Sequence, residues 1–487
     1  MNTLKTIALL IILLSSAFLG FGALTSTPKP LKQKSDNLPI YIHNVTIVDV
    51  IAGRILQGQH VLIDDGRILD ISAVELSPEG AGHVSIDGRN KFLMPALWDM
   101  HVHTIKNSDL LHFPLYIANG VLNVRDLGNT CSWSSSQGCV APNSHWQALV
   151  EKKALLGPMQ WGQVSYHMEE LEGSDISEAL KSLHDSKDDL LKLQLSHETT
   201  TEQFQSILDQ ANNAGLSAAG HLPGNLKLDK LDLSNLNSIE HDRAFYSYCA
   251  NATVDFEERV SVMATHTNSF DEAKCVSLMQ GLKSHDISYT PTHIASSVQD
   301  INIVMPRDEA KPHDKYIDSI TLGLWHTYAW LTKIGFDEND KASFQKLKET
   351  SFRISKLAQD NDILLLAGTD ASDAYIYPGF SLYEELALLS QAGLSNIEVI
   401  RTATINPAKH VKAEALLGSV SVGKQADLIL LNSNPLQELS ALTQIDAVIY
   451  KGEHYDKAEL EDMKQYTADV AKDSTVTAKR LWQLLFE

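Results

Sequence analysis

Six side chains able to hold a metal ion are spread along this chain, each at or just past the end of a short apolar, strand-like run. Leu97-Trp-Asp-Met-His101-Val-His103 follows the apolar Phe92-Leu-Met-Pro-Ala96. Alternate residues of a strand share a face, so His101 and His103 point the same way. Lys192 lies in Leu190-Leu-Lys-Leu-Gln194, and His221 closes Leu216-Ser-Ala-Ala-Gly-His. His241 closes Leu236-Asn-Ser-Ile-Glu-His, and Asp370 closes Ile363-Leu-Leu-Leu-Ala-Gly-Thr-Asp. Parallel strands closed into a barrel deliver their C-terminal ends to one mouth. From Ala96 to about Val411 such runs alternate with helical patterns, for example Thr201-Glu-Gln-Phe-Gln-Ser-Ile-Leu-Asp-Gln-Ala211. That alternation predicts an α/β fold, a (β/α)8 TIM barrel.

The flanks read differently. Between Ile40 and Ile71 short strand-like runs alternate with turns, and Asp65-Gly66 marks a tight hairpin. Similar runs return at Asp427–Leu431 and Ile445–Tyr450. Neither end has enough strands for a stable sheet, so the two are expected to combine into one small β-sandwich. The expected organisation is a signal peptide and leader over 1–27, a β-sandwich from 28–95 with 412–456, a barrel over 96–411, and a helical extension over 457–487. The barrel region is longer than usual, and the excess falls in 242–285 and 294–350, on the side where substrate walls form. These insertions carry Phe245, Tyr246, Tyr248, Trp325, Tyr328 and Trp330. At helical spacing, the last three read as packing core before substrate wall.

Lys5, the apolar Ile7–Leu14 and small residues up to Ala23 describe an export signal too short for a comfortable membrane span. Cleavage after Ala17 or Ala23 is expected, with a retained signal anchor in the membrane as the alternative. Export places the protein in the periplasm or outside the cell, where its four cysteines can pair. Short loop closure favours Cys131 with Cys139 and Cys249 with Cys275. The net charge of -21 argues against nucleic acid or anionic lipid as partners.

Beyond the six candidate ligands, the chain carries Gly120-Val-Leu-Asn-Val-Arg-Asp-Leu-Gly128, Gly220-His-Leu-Pro223, Tyr289-Thr-Pro-Thr-His293 and Gly368-Thr-Asp-Ala-Ser372. Pro378-Gly-Phe-Ser-Leu-Tyr-Glu-Glu385, Ala403-Thr-Ile-Asn-Pro407 and Gly418-Ser-Val-Ser-Val-Gly-Lys-Gln-Ala-Asp-Leu428 follow. From about Pro39 to about Gly452 the chain resembles the amidohydrolase superfamily, in its branch of imidazolonepropionase-like proteins and metal-dependent Xaa-Pro dipeptidases. The resemblance implies two divalent metal ions: one on His101, His103, Lys192 and Asp370, the other on Lys192, His221 and His241. It also implies that Lys192 is carboxylated (N6-carboxylysine). The chemistry is coherent, because burial among leucines favours a neutral amine, and a neutral amine can add carbon dioxide to become an anionic bridge. Nitrogen and oxygen donors suit zinc, with manganese, cobalt or nickel as substitutes. Two ions would acidify water and polarise a carbonyl, with Asp370 as the catalytic proton carrier.

Arg125, ending the second strand, and His293, ending the seventh, are expected to face the mouth and hold a substrate carboxylate or polarise a carbonyl. A structural salt bridge with a neighbouring acid such as Asp126 is the rival role for Arg125. Gln194 stands where dipeptidase-like sequences commonly have a tyrosine, which weakens a direct transfer of dipeptidase activity. The expected function is hydrolysis of carbon–nitrogen bonds in small-molecule or dipeptide-like substrates, by a monomer or a homo-oligomer. A lactone or ester hydrolase, a single-metal deaminase and a catalytically silent binding barrel are the alternatives. The complete ligand set speaks against the last, and the bridging lysine against the deaminase.

Overall fold

The computed structural model describes residues 20, 24, 26–36, 38–76, 82–128, 142–162, 190–195, 198–251, 267–295, 311–334 and 338–486. The apolar export segment, Cys131 and Cys139 lie outside the described residues. The N-terminal strands are β1 (Ile40–Asp49), β2 (Arg54–Asp64), β3 (Arg67–Ser72), β4 (Val84–Asp87) and β5 (Phe92–Pro95). Eight segments of the middle region follow. Seven are strands: β6 (Leu97–Val102), β7 (Val121–Asp126), β8 (Met159–Trp161), β9 (Leu190–Gln194), β10 (Ser217–His221), β11 (Leu236–Glu240) and β12 (Ser288–Thr290). The chain ends with β13 (Leu428–Leu431), β14 (Ile445–Tyr450), β15 (Glu453–Asp456) and two helices, Lys457–Lys472 and Ser474–Phe486.

Both ends of the chain build one eight-stranded sheet, in the order β15-β14-β13-β5-β1-β2-β3 with β4 beside β1. It forms one path where two stacked layers were expected, and it curls: Arg67 of the end strand bridges Gln425, and Ala426 N donates to Gly66 O at 2.8 Å. The turn between β2 and β3 is the Asp65-Gly66 hairpin, with φ of 46° and 69° as a two-residue turn of this hand needs. Leu428, Leu430, Ala447 and Ile449 face a small core inside this sheet with Ile40, Ile42, Val45 and Ile47. The alternate residues Ile429, Leu431, Val448 and Tyr450 join the large central core. Burial on both faces explains why Leu428–Leu431 is apolar without alternation.

Among the described strands of the middle region every ladder is parallel: β6 with β7, β7 with β8, and β9 through β12 in sequence. An eighth segment, residues 363–371, joins these groups, because Leu365 pairs in parallel with Tyr289 and Ala371 with Val102. Its Asp370 N donates to His101 O at 2.7 Å. The two outer edges come together where a Cβ on Gly162, just after β8, would lie 3.2 Å from Leu190 Cδ2 at the start of β9. The helix Thr201–Asn213 opens on a capping box from Thr200 to Gln203 and buries Phe204, Leu208 and Ala211 at helical spacing. The C-terminal helix Lys457–Lys472 is docked through Leu460, Met463, Val470 and Ala471, and Tyr466 Oη donates to Lys29 O at 2.8 Å.

Cys249, after the short helix Arg243–Tyr248, is bonded to Cys275 in the helix Glu272–Ser284, and both are buried. Non-reducing peptide mapping should recover these two cysteines in one linked pair. Replacing both with serine should cost about 2–4 kcal/mol of stability in chemical denaturation. Free thiols at both positions in oxidised protein would contradict the pairing.

Candidate metal centre

The first and eighth parallel segments are clamped together beneath the site. Asp99, two residues before His101, accepts from Thr369 N at 3.0 Å and from Thr369 Oγ1 at 2.7 Å. Burial pushes its carboxyl up to about 7. Gly368 makes the clamp sterically feasible: a Cβ there would sit 2.6 Å from Thr290 Cγ2 and 2.8 Å from His101 Cβ. Gly128 does the same for His103, since a Cβ there would meet the ring Nδ1 at 2.1 Å. Two strand-end residues have left-handed backbones, His241 with φ of 62° and Asp370 with φ of 68°. Such geometry costs non-glycine residues roughly 1–3 kcal/mol each and is held only where the surroundings impose it.

Three imidazoles converge on the Asp370 carboxylate. His103 Nε2 lies 2.7 Å and His101 Nε2 3.3 Å from Asp370 Oδ1, while His241 Nε2 lies 3.9 Å from Oδ2. One ligand atom each from His101, His241 and Asp370 falls within 4.8 Å of the others, a spacing that fits one metal ion. The His221 ring packs edge-on to His241 with centroids 4.4 Å apart. Lys192, 1% exposed, places Nζ 3.4 Å from His101 Nε2. Gln194 pairs in register with His221 and is half-buried. The site therefore brings His101, His103, Lys192, His221, His241 and Asp370 together, with Gln194 beside them.

The far sides of two rings are fixed. His101 Nδ1 is 2.9 Å from Glu240 Oε2, and His241 Nδ1 is 2.5 Å from Thr292 Oγ1. A proton donated from His101 Nδ1 to Glu240 leaves Nε2 as a bare lone pair. That lone pair, 3.4 Å from Lys192 Nζ, is turned toward the buried Asp370 Oδ1, which His103 Nε2 also approaches at 2.7 Å. Two imidazole Nε2 atoms and a carboxylate oxygen turned on one point are the donor arrangement of a metal centre.

The electrostatics agree. Burial, with Lys192 adding to it, pulls His101 down to about 4, and burial takes His221 and His241 well below the usual imidazole range. Neutral imidazoles are the ligating form. For His103 the burial penalty is outweighed by adjacent Asp370, and its pKa is raised. Burial opposes ionisation of Asp370 too, yet His101, His103 and His241 hold it well below the usual carboxylate range. Burial brings Lys192 down to about 8, partly offset by Glu240 and Asp370.

Two of the expected substrate contacts are corrected. Arg125 is 1% exposed and lies below the metal-binding groups. It donates through Nε to Met100 O (2.7 Å), through Nη1 to Ser238 Oγ (2.8 Å), and through Nη2 to Glu240 Oε1 (2.7 Å) and Thr290 Oγ1 (3.1 Å). His410 Nε2 completes the cage at 3.1 Å from Nη1. The guanidinium is consumed by internal partners and has no reach to a substrate. The structural salt bridge that was the rival role is present, with Glu240 in place of Asp126, which accepts from Gly128 N at 2.9 Å and from Thr104. His293 is held between Ser351 Oγ and Ser355 Oγ, each 2.9 Å away, on the helix Glu338–Asp360. Both ring nitrogens are used, and burial takes the imidazole down to about 3.

Glu240, Thr292 and Asp99 were missed from the sequence. A signal existed for the two acids: each interrupts an apolar strand, and a buried carboxylate requires a partner. Nothing in the sequence marked Thr292.

Because Glu240 links Arg125 to His101, Glu240→Gln should weaken metal affinity about 10- to 100-fold. It should also cost about 3 kcal/mol, by leaving Arg125 buried beside a neutral group. Arg125→Met should act on the same two quantities rather than on substrate choice. Chelator competition and thermal melting measure both, and an unaltered metal affinity in Glu240→Gln would contradict the role.

Residues 175–454, more than half of the chain, match the Amidohydrolase family. No curated protein matches the chain in sequence. Among solved structures, bottromycin amidohydrolase is similar with a TM-score of 0.65 at 18% identity, covering 94% of this chain and 94% of that one. A putative prolidase from Bifidobacterium longum gives 0.58 at 19% identity, over 88% of this chain and 99% of its own. A Xaa-Pro dipeptidase with methionine bound in its active site gives 0.58 at 18%, over 86% and 100%. At such identities the likeness is one of fold. The family match and the converging His, His and Asp ligands agree, and the chain belongs to the amidohydrolase family of metal-dependent hydrolases.

Proposed function

We propose that this protein is an exported, two-metal hydrolase that cleaves amide or peptide-type bonds in small, dipeptide-like substrates at the mouth of a closed (β/α)8 barrel. One observation carries the reading: the Nε2 atoms of His101 and His103 converge on Asp370 Oδ1, with the buried Lys192 beside them. His101, His103, Lys192 and Asp370 would hold one divalent ion, and Lys192, His221 and His241 the second. Zinc suits this donor set, and the ions would supply an acidified water and a polarising charge at the scissile carbonyl.

The remaining work falls to the chain. Lys192, with its pKa brought down by burial, has a neutral fraction that adds carbon dioxide; the nitrogen forms a bond to carbon, loses its proton, and becomes a carbamate anion. The lysine is positioned for that role against His101, which favours two ions over the single-ion deaminase. Asp370, kept ionised by its three histidines, takes the proton of the attacking water and hands it to the leaving nitrogen. Glu240 and Thr292 hold the His101 and His241 rings in place. Gln194, half-buried and in register with His221, is the candidate for a contact with the substrate backbone. Export is supported by the N-terminal apolar run and by the Cys249–Cys275 disulfide, a bond of oxidising compartments.

Elemental analysis of protein purified without chelators should find close to two divalent ions per chain. Lys192→Ala should lose metal and turnover, with partial rescue of both by short carboxylic acids. Normal metal content in Lys192→Ala would remove the bridge. Asp370→Asn should lower kcat on amide substrates about 10²- to 10⁴-fold with the fold intact. A near-normal kcat would place the proton transfer elsewhere.

A further inference from the structure

Beside the metal-binding residues lies a cavity of about 340 Å³ that the reaction as described does not use. Its walls include Leu324, Trp325 and Tyr328 of the helix Ser319–Ile334, Ile376, and the pair Ser372 and Asp373. The last two belong to the turn that carries Asp370: Asp373 N donates to Asp370 O at 2.9 Å, and Ser372 Oγ lies 3.5 Å from His103 O. The cavity and the metal centre therefore share a wall.

The opposite wall is apolar. Trp325 is buried against Tyr375 and Tyr377, with ring centroids 5.5 and 5.7 Å away, and forms the floor. Leu324 and Tyr328, one turn apart, are 51% and 50% exposed beside it. Large apolar side chains left open around a concave space next to a reaction centre are the usual lining of a small-molecule pocket, and this volume is at the small end of that range. The carboxylate at the shared rim, Asp373, repels anions.

We propose that this cavity is the specificity subsite of the enzyme, and that it receives an uncharged apolar group, of leucine to phenylalanine size, carried next to the scissile bond. The inference rests on the hydrolase reading above and adds the substrate class to it. The group needs no long linker, since the wall it touches begins two residues after Asp370. Burying it displaces water from Leu324 and Tyr328, a gain that a glycine residue cannot supply.

The test compares kcat/KM over a dipeptide series in which glycine, alanine, leucine, phenylalanine or aspartate is varied on each side of the bond. At one of the two positions, leucine and phenylalanine should exceed glycine at least tenfold, and aspartate should be the poorest. Leu324→Asp, a change at an exposed position, should reduce the leucine-to-glycine ratio at least fivefold. Trp330→Gln, on the same helix but outside the cavity, should leave that ratio unchanged. Calorimetric binding of leucinol against ethanolamine, which have no bond to cleave, gives a second readout, with leucinol at least tenfold tighter in the unmodified protein and not in Leu324→Asp. Equal glycine and leucine values in turnover and binding would overturn the subsite and leave the hydrolase standing. Leucinol selectivity without cleavage of any amide would support the subsite and overturn the hydrolase reading.

Discussion

A carboxylate buried among three imidazole nitrogens and a lysine dominates the electrostatics of this protein. Asp370 stays ionised because adjacent histidines offset its desolvation, His103 with its raised pKa among them, while burial lowers His101, His221 and His241. Such an arrangement is costly in an otherwise apolar interior. It persists because each partner is fixed from behind. Glu240 holds His101, Arg125 holds Glu240, and Ser238, Thr290 and His410 hold Arg125. The polar column reaches from the mouth to the middle of the parallel strands, and it gives the strand ends a common register.

The rest of the fold serves that column. The eighth segment must come close enough to β6 for Asp370 to meet His101, which Gly368 permits and the bonds from Thr369 to Asp99 enforce. The sheet made from both ends of the chain packs its second face against the central core through Ile429, Leu431 and Val448. The helix Lys457–Lys472 then covers the outside.

Much of this was legible in advance, for a physical reason. Residues that end apolar strands have one place to go in a parallel α/β fold, so His101, His103, Lys192, His221, His241 and Asp370 could be assigned to a common mouth from order alone. Asp65-Gly66 announced its turn because few residue pairs tolerate two positive φ angles. Arg125 and His293 were misplaced because position at a strand end does not say which way a long or planar side chain turns. Arg125 turned inward to Glu240, a partner far away in sequence, and His293 turned to serines of a helix whose docking no local pattern encodes. Both are decided by tertiary partners. The single curled sheet was likewise beyond local pattern, since strand periodicity shows which face is buried and not whether one layer or two will bury it.

Anomalous scattering at the zinc absorption edge, from crystals of the protein purified with its native metal, tests the central claim most directly. Two adjacent peaks per chain are expected, one against His101, His103 and Asp370 and one against His221 and His241, with density for a carboxylated Lys192 reaching both. A single peak, or peaks away from these side chains, would contradict it.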